Sequence, residues 1–460
     1  VAKFLFTTLP TNDLGLLTRS VPIARELSER GHSVVFSSPA KAPTVLLGEA
    51  GFKNIIPRHP LYDIAAGGDH SFKGLLSFLV SRKYLQRYPN IFSFLSRLIP
   101  ALPIKTSYEA GNGWSLDEAA ATMGMLNEGF VRANCEALRE LIIESKADVV
   151  VDFLNPIAVM AARSIQKPIV TVIQANAHPD SKESAADKTS QKKTSAVAMV
   201  VNKVLSNYGL PPIQTLGDLI PGDLTLVVGT PETDPLPEYS DVAYVGSILW
   251  QQEHSELPRW IHELPDDKPL IWVYSGNPRY SMAKGMFDSI VVLKACIDAL
   301  SNEEVNVVLT TGHHPLPSEL KLPDNFRYEA FVPGLLMAER SSLLIHHGGY
   351  GSCQMGLYAG KASVIMPTYS ERESNAKRIE ALGAGIIVPV QNVSGKKCVS
   401  ANELKDAVKC VLQDPSFSNN ARKVGERLRT YGGATRAANL IEHLTIEVKR
   451  LVNSHAVGES

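Results

Sequence analysis

Short apolar runs alternate with amphipathic stretches of helix length along most of the chain. Residues 3–9 form such a run, which ends in the turn-rich Pro10-Thr-Asn-Asp-Leu-Gly15. Hydrophobic positions then recur at helical spacing to Arg30 and stop at Gly31, and residues 33–38 read as a second strand. Residues 148–153 and 168–173 read as further strands, each beside a segment of helix length. A second series starts at Leu270–Tyr274 and continues at 305–310, Leu343–His346, 363–366 and 384–388. Strands alternating with helices predict parallel βαβ units, because a parallel neighbour can be reached only by a crossover. The proline-bearing stretch 229–258 separates the two series, and 434–451 reads as a long terminal helix. The pattern therefore predicts an α/β protein with two Rossmann-like domains. The first spans 1–228 and the second 259–433, joined by a linker at 229–258 and followed by a helix and tail at 434–460.

Composition narrows the classes. At 460 residues the chain is too long for one ordinary core. Lys plus Arg number 46 against 47 Asp plus Glu, so nothing global favours nucleic acid as a partner. Five scattered cysteines without CxxC spacing suit reduced thiols better than a disulfide framework or a zinc site. No run reaches the roughly 18 apolar residues of a membrane span, and the first residues lack a signal-peptide pattern, so a cytoplasmic location is expected. Residues 72–103 mix Leu, Phe and Tyr with Arg82, Lys83, Arg87 and Arg97. They suit helices lining an apolar acceptor cleft and equally suit amphipathic helices packed on the first domain; peripheral contact with an anionic membrane stays open.

The candidate chemistry centres on Leu343-Leu-Ile-His-His-Gly-Gly-Tyr-Gly-Ser352. A buried strand ending at His346, a glycine turn and a helix starting near Tyr350 make an anion site, because helix N-termini present unpaired N–H groups. Gly348, Gly349 and Gly351 would let a diphosphate reach the backbone, and His347 and Ser352 offer side-chain donors. A tight turn whose glycines serve packing is the plainer alternative. Downstream, a strand and Pro367 precede Glu371, placed to accept hydrogen bonds from sugar hydroxyls or simply to favour a helix N-terminus.

These motifs resemble those of the family 1 glycosyltransferases, which include macrolide, sterol and plant enzymes. His347-Gly-Gly-Tyr-Gly-Ser352 is similar to the family's diphosphate loop, and Glu371-Arg-Glu-Ser-Asn-Ala376 to its sugar-binding segment. Phe331-Val-Pro333 falls where the family stacks an aromatic ring on the uracil, with Val332 at the backbone contact. Ser275-Gly276-Asn277 occupies the place of a loop that reaches the phosphates, and Asp152 that of an acid that orients the base. The resemblance implies two Rossmann-like domains facing a cleft (the GT-B fold), with the terminal helix crossing back to the first domain. It also implies inverting, metal-independent transfer of a hexose from a nucleoside diphosphate sugar, with UDP the expected nucleotide. The acceptor would be a hydroxyl of a lipophilic small molecule. No further cofactor is implied, and no Asp-x-Asp motif is present.

Four positions depart from that pattern. Leu16 stands where the family's base histidine is expected, leaving Asp13 and Asp152 as the carboxylates able to take over; Asp13 equally suits a helix cap. Met355 stands in place of a ribose-holding Glu, Gly334 in place of a Gln beside the base, and Arg372 in place of a Gln associated with glucose donors. A guanidinium at 372 favours a different or more acidic sugar. The missing base leaves a second possibility, a catalytically silent or auxiliary binding protein of the same fold. A nicotinamide-dependent oxidoreductase is disfavoured, since no GxGxxG follows the first strand. Among other histidines, His178 is a candidate acceptor contact, His313 and His314 follow a strand, and His32 reads as an exposed turn residue.

Overall fold

The structure, a computed structural model, describes residues 1–10, 14–57, 115–181, 194–251, 255–276, 290–312, 314–368, 370–394 and 396–458. Asp13, Asn277, His313 and the expected acceptor segment 72–103 lie outside the described residues.

Seven parallel strands form the first sheet: β1 (Lys3–Thr8), β2 (Ser33–Ser37), β3 (Lys53–Asn54), β4 (Val149–Phe153), β5 (Ile169–Ile173), β6 (Leu224–Val228) and β7 (Ala243–Gly246). Their order is β3-β2-β1-β4-β5-β6-β7. β4 and β5 are buried at every position, which is why both read as continuous apolar runs. Helices α1 (Leu17–Glu29) and α2 (Lys41–Glu49) follow the first two strands. α3 (Glu128–Ser145), α4 (Pro156–Arg163) and α5 (Ala196–Ser206) cover one face with a core that includes Leu138, Met160 and Val201.

The second sheet repeats the plan with β8 (Leu270–Tyr274), β9 (Asn306–Thr310), β10 (Phe326–Glu329), β11 (Leu343–His346), β12 (Ser363–Ile365) and β13 (Gly385–Ile387). Its order is β10-β9-β8-β11-β12-β13, again parallel throughout. The helices are α6 (Ile290–Leu300), α7 (Gly334–Arg340), α8 (Tyr350–Tyr358), α9 (Ser370–Ala381), α10 (Ala401–Gln413) and α11 (Pro415–Thr430). In each sheet the winding direction reverses once, between β1 and β4 and between β8 and β11. Strands on either side of such a reversal leave a crevice at their carboxyl ends, where ligands bind in open α/β sheets.

The final helix, α12 (Gly433–Gly458), returns to the first half. Ala437, Ala438 and Ile441 are buried in the same core as Phe4, Phe6 and Leu17. Arg30 donates to Asn439 and Glu442, each at 2.6 Å, and Thr435 donates to Glu26 at 2.8 Å. His32, expected as an exposed turn residue, is instead part-buried. Its Nδ1 accepts from the Ala2 N–H at 3.0 Å and its Nε2 lies 2.7 Å from Glu442, so it pins α12 to the start of the chain. β7 falls within the stretch expected to link the domains, so the first sheet takes in part of that stretch. Among the described residues no helix is long and apolar enough to cross a membrane.

Candidate functional site

The carboxyl ends of β8 and β11 build the concave centre of the second half. Tyr274 and His346 are register partners, and each strand is followed by a glycine turn. Gly276 has φ +67°, and a Cβ there would stand 3.4 Å from His347 Nε2. Gly348 has φ +85°, and its Cβ would stand 2.8 Å from the Arg372 carbonyl oxygen. Side chains at either place would fill the crevice or force the turn open. α8 then starts at Tyr350 with Gly349 as its N-cap, which has no side chain to satisfy the first-turn N–H groups. A Cβ on Gly351 would meet nothing within 4 Å, so the backbone there lies open.

Three basic side chains surround this turn. The Gly348 N–H donates to His346 Nδ1 at 3.1 Å. His346 Nε2 and His347 Nδ1 are buried without a protein partner, so each can still bond a ligand or water. Burial, with the Arg372 guanidinium nearby, lowers His346 to about 3. Burial also holds His347 well below the ordinary imidazole range, reinforced by Arg372 and His346. Both rings are therefore neutral near pH 7, and permanent positive charge comes from Arg372, which is buried and donates to Thr368 Oγ1 at 2.7 Å.

The remaining donor candidates fall around this centre. Glu371 is in the first turn of α9, and Asn375 joins it to the glycine turn, its amide donating to Glu371 at 2.7 Å and to the Gly348 carbonyl at 3.0 Å. Asn375 lies inside the recognised motif but was not singled out as a site residue. Ser275 is fully buried and donates to the Gly276 carbonyl at 3.0 Å, while Ser352 lies in the first turn of α8. Phe331 is 45% exposed and adjoins buried Val332. Gly334 and Met355 turn out to be one packing event. A Cβ at 334 would stand 2.8 Å from the Met355 sulfur and methyl group, so the small residue makes room for the large one.

In the first half, the matching position at the end of β4 holds a hydrogen-bonded acid. Asp152, fully buried at the end of β4, accepts from Thr7 Oγ1 at 2.5 Å and from the Asn155 N–H at 2.9 Å. Burial pushes its carboxyl up to about 7 against the pull of those bonds. With both oxygens engaged, Asp152 holds the β1 and β4 ends together. Leu16 is the N-cap of α1 and packs, with Leu14, against the first-half core. His178 is buried on the turn after β5, where its Nδ1 accepts from the Asp180 N–H at 3.2 Å; burial lowers its pKa.

Two doubly wound parallel sheets, the second with an open, glycine-lined helix N-terminus at its switch point, make a fold of the GT-B type. Residues 294–439 match the erythromycin biosynthesis protein CIII-like, C-terminal domain family. An NDP-glycosyltransferase of Bacillus subtilis is 25% identical over 309 residues, 66% of this chain and 74% of that protein. An uncharacterized UDP-glucosyltransferase of the same organism is 28% identical over 227 residues, 48% of this chain and 52% of its own length. The calicheamicin glycosyltransferase CalG4 superposes with a TM-score of 0.67 at 19% identity, covering 96% of this chain and 98% of that one. In sequence and in fold the chain is similar to glycosyltransferases, with the family match lying in its second half.

Proposed function

We propose that the protein transfers a hexose from a nucleoside diphosphate sugar, UDP-linked in the simplest case, to a hydroxyl of a lipophilic small molecule with inversion and without a metal. The observation that carries this reading is the turn at His346–Gly349. Neutral imidazoles with unpartnered buried nitrogens, a buried guanidinium and an uncapped helix start converge on a space kept clear by glycine. Such a set holds a diphosphate and stabilises it as a leaving group. The acceptor oxygen attacks the anomeric carbon, the bond from that carbon to the diphosphate oxygen breaks, and its electron pair leaves with the nucleotide. The names of the relatives, a UDP-glucosyltransferase and an NDP-glycosyltransferase, support the donor class. Titration of UDP and thymidine diphosphate into parent and His347→Ala tests it. Loss of one ligand hydrogen bond should weaken binding by about 1.5–3 kcal/mol, and equal affinities would remove the turn from the donor site.

A second reading is favoured by the first half. Leu16 carries no proton acceptor, and the carboxylate of Asp152 is buried and engaged. The chain would then bind donor without turning it over. Asp13 is the carboxylate assigned to the base under the enzymatic reading, so Asp13→Asn should lower turnover by roughly 100-fold at unchanged nucleotide affinity. A parent protein that binds labelled donor yet neither hydrolyses nor transfers it would establish the silent alternative.

A further inference from the structure

We propose that Asp234 is a positioning residue of the donor site: a carboxylate anchored in the first half that orients α8 and α9, and through them the glycine turn and Glu371. This rests on the donor-site reading above. Asp234 lies in the stretch after β6 and is fully buried. Its anchoring is local, with the Ala175 N–H donating to Oδ1 at 3.4 Å, Thr233 Oγ1 to Oδ2 at 3.0 Å, and Tyr244 to its backbone carbonyl at 2.7 Å. Gly229, at φ +124°, admits the carboxylate, since a Cβ there would stand 2.2 Å from Oδ2.

Its other partners come from the second half, and all three sit on the helices that carry the donor motif. Tyr350, the first residue of α8, places its hydroxyl between the Val228 carbonyl and Oδ2, 2.9 Å from the latter, and Gln354 donates to Oδ2 at 3.2 Å. Arg378 on α9 stands 3.7 Å from Oδ1. Two arms therefore leave one carboxylate. The α8 arm ends at the glycine turn, because Tyr350 follows Gly349 directly, and the Arg19 guanidinium of α1 covers its ring at 5.2 Å. The α9 arm runs from Arg378 to Asn375 Oδ1 at 2.5 Å, and Asn375 in turn donates to Glu371 and to the Gly348 carbonyl. Burial raises the Asp234 carboxyl while Arg378 pulls it back, as expected for an acid sustained by its partners. An apolar contact could hold two halves together as firmly, but it would not set the rotation of α8 or the placement of Glu371; directional bonds do both.

Calorimetry on the full chain tests the proposal, using UDP and thymidine diphosphate and then the corresponding nucleotide glucose, on parent, Asp234→Asn, Tyr350→Phe and Arg378→Gln. Arg378→Gln should weaken nucleotide-sugar binding by about 10-fold and the bare diphosphate by less, because its arm reaches Glu371 as well as the Gly348 carbonyl. Tyr350→Phe should weaken both ligands by roughly 5- to 10-fold, and Asp234→Asn should show both effects. Variants that bind both ligands as the parent does, with only a lower melting temperature, would reduce Asp234 to a structural brace. If Asp234→Asn does not fold, the two single-arm variants decide the matter. A parent that binds neither diphosphate would overturn the donor reading itself, and this proposal with it.

Discussion

Asp152 is held where a carboxylate is least at ease, fully buried between β1 and β4. Its folded pKa of about 7 lies above the ordinary 3.8, so between those values the folded chain binds more protons than the unfolded one. Stability from this group is therefore greatest below about pH 4 and declines as pH rises to about 7, by at most about 1.4 kcal/mol per pH unit. Asparagine mimics the protonated acid, since its amide can donate to Thr7 Oγ1 while its carbonyl accepts from the Asn155 N–H. Asp152→Asn should thus be less sensitive to pH than the parent, and should melt higher at pH 8. Melting curves from pH 5 to 8 check this, and identical pH dependence in both proteins would mean that Asp152 is charged throughout. The same substitution bears on chemistry, because an acid that only braces the strands should leave turnover largely intact when replaced by asparagine.

Among the elements, the strand, glycine turn and helix from β11 to α8 carry most of the proposed donor site. Gly348→Ala places a Cβ 2.8 Å from the Arg372 carbonyl in a left-handed conformation, with about 1–2 kcal/mol of backbone strain before any clash is counted. Nucleotide diphosphate affinity should fall more for Gly348→Ala than for Gly276→Ala, whose Cβ meets only the edge of a ring at 3.4 Å. Both positions share the left-handed strain (φ +67° at Gly276), so equal losses would show that this strain, and not the clash with the Arg372 carbonyl, governs the site. This element was legible in the sequence because a continuous apolar run ending in two glycines has few other solutions. β6 and β7 were not. β7 is four residues long without alternation, and β6 adjoins a stretch dense in proline and glycine, so neither stands out by periodicity. Asp234 was illegible for a different reason. It is a lone acid between Thr233 and Pro235, and its meaning comes from Tyr350 and Gln354, 116 and 120 residues further along. The pairing of Gly334 with Met355 was visible only as two separate departures until the side chains were seen in contact.

At the scale of the whole molecule, α12 is the strap that returns the second half to the first. It follows α11 directly and lays Ala437, Ala438 and Ile441 into the core beneath α1, flanked by Glu442, which meets Arg30 at 2.6 Å and His32 at 2.7 Å. Ile441 is fully buried, so Ile441→Ala removes apolar contact and leaves a cavity, a loss of about 2–5 kcal/mol for such truncations. Glu442→Gln removes charge at a partly exposed site, where ion pairs contribute about 0–1 kcal/mol, and should cost much less. The contrast separates two accounts of the strap. If burial holds α12 down, Ile441→Ala should lower the denaturation midpoint strongly and Glu442→Gln weakly. It should also weaken the link between the halves, because α12 is the element that packs the end of the second half against α1. Nucleotide binding to the second half alone should then persist in Ile441→Ala under conditions where the protein stays folded, while the proposed sugar transfer, with donor and acceptor assigned to different halves, should fall. Urea denaturation followed by paired binding and turnover assays on the two variants measures each part. A larger destabilisation from Glu442→Gln than from Ile441→Ala would show that the Arg30 and His32 contacts, rather than the apolar face, hold the strap.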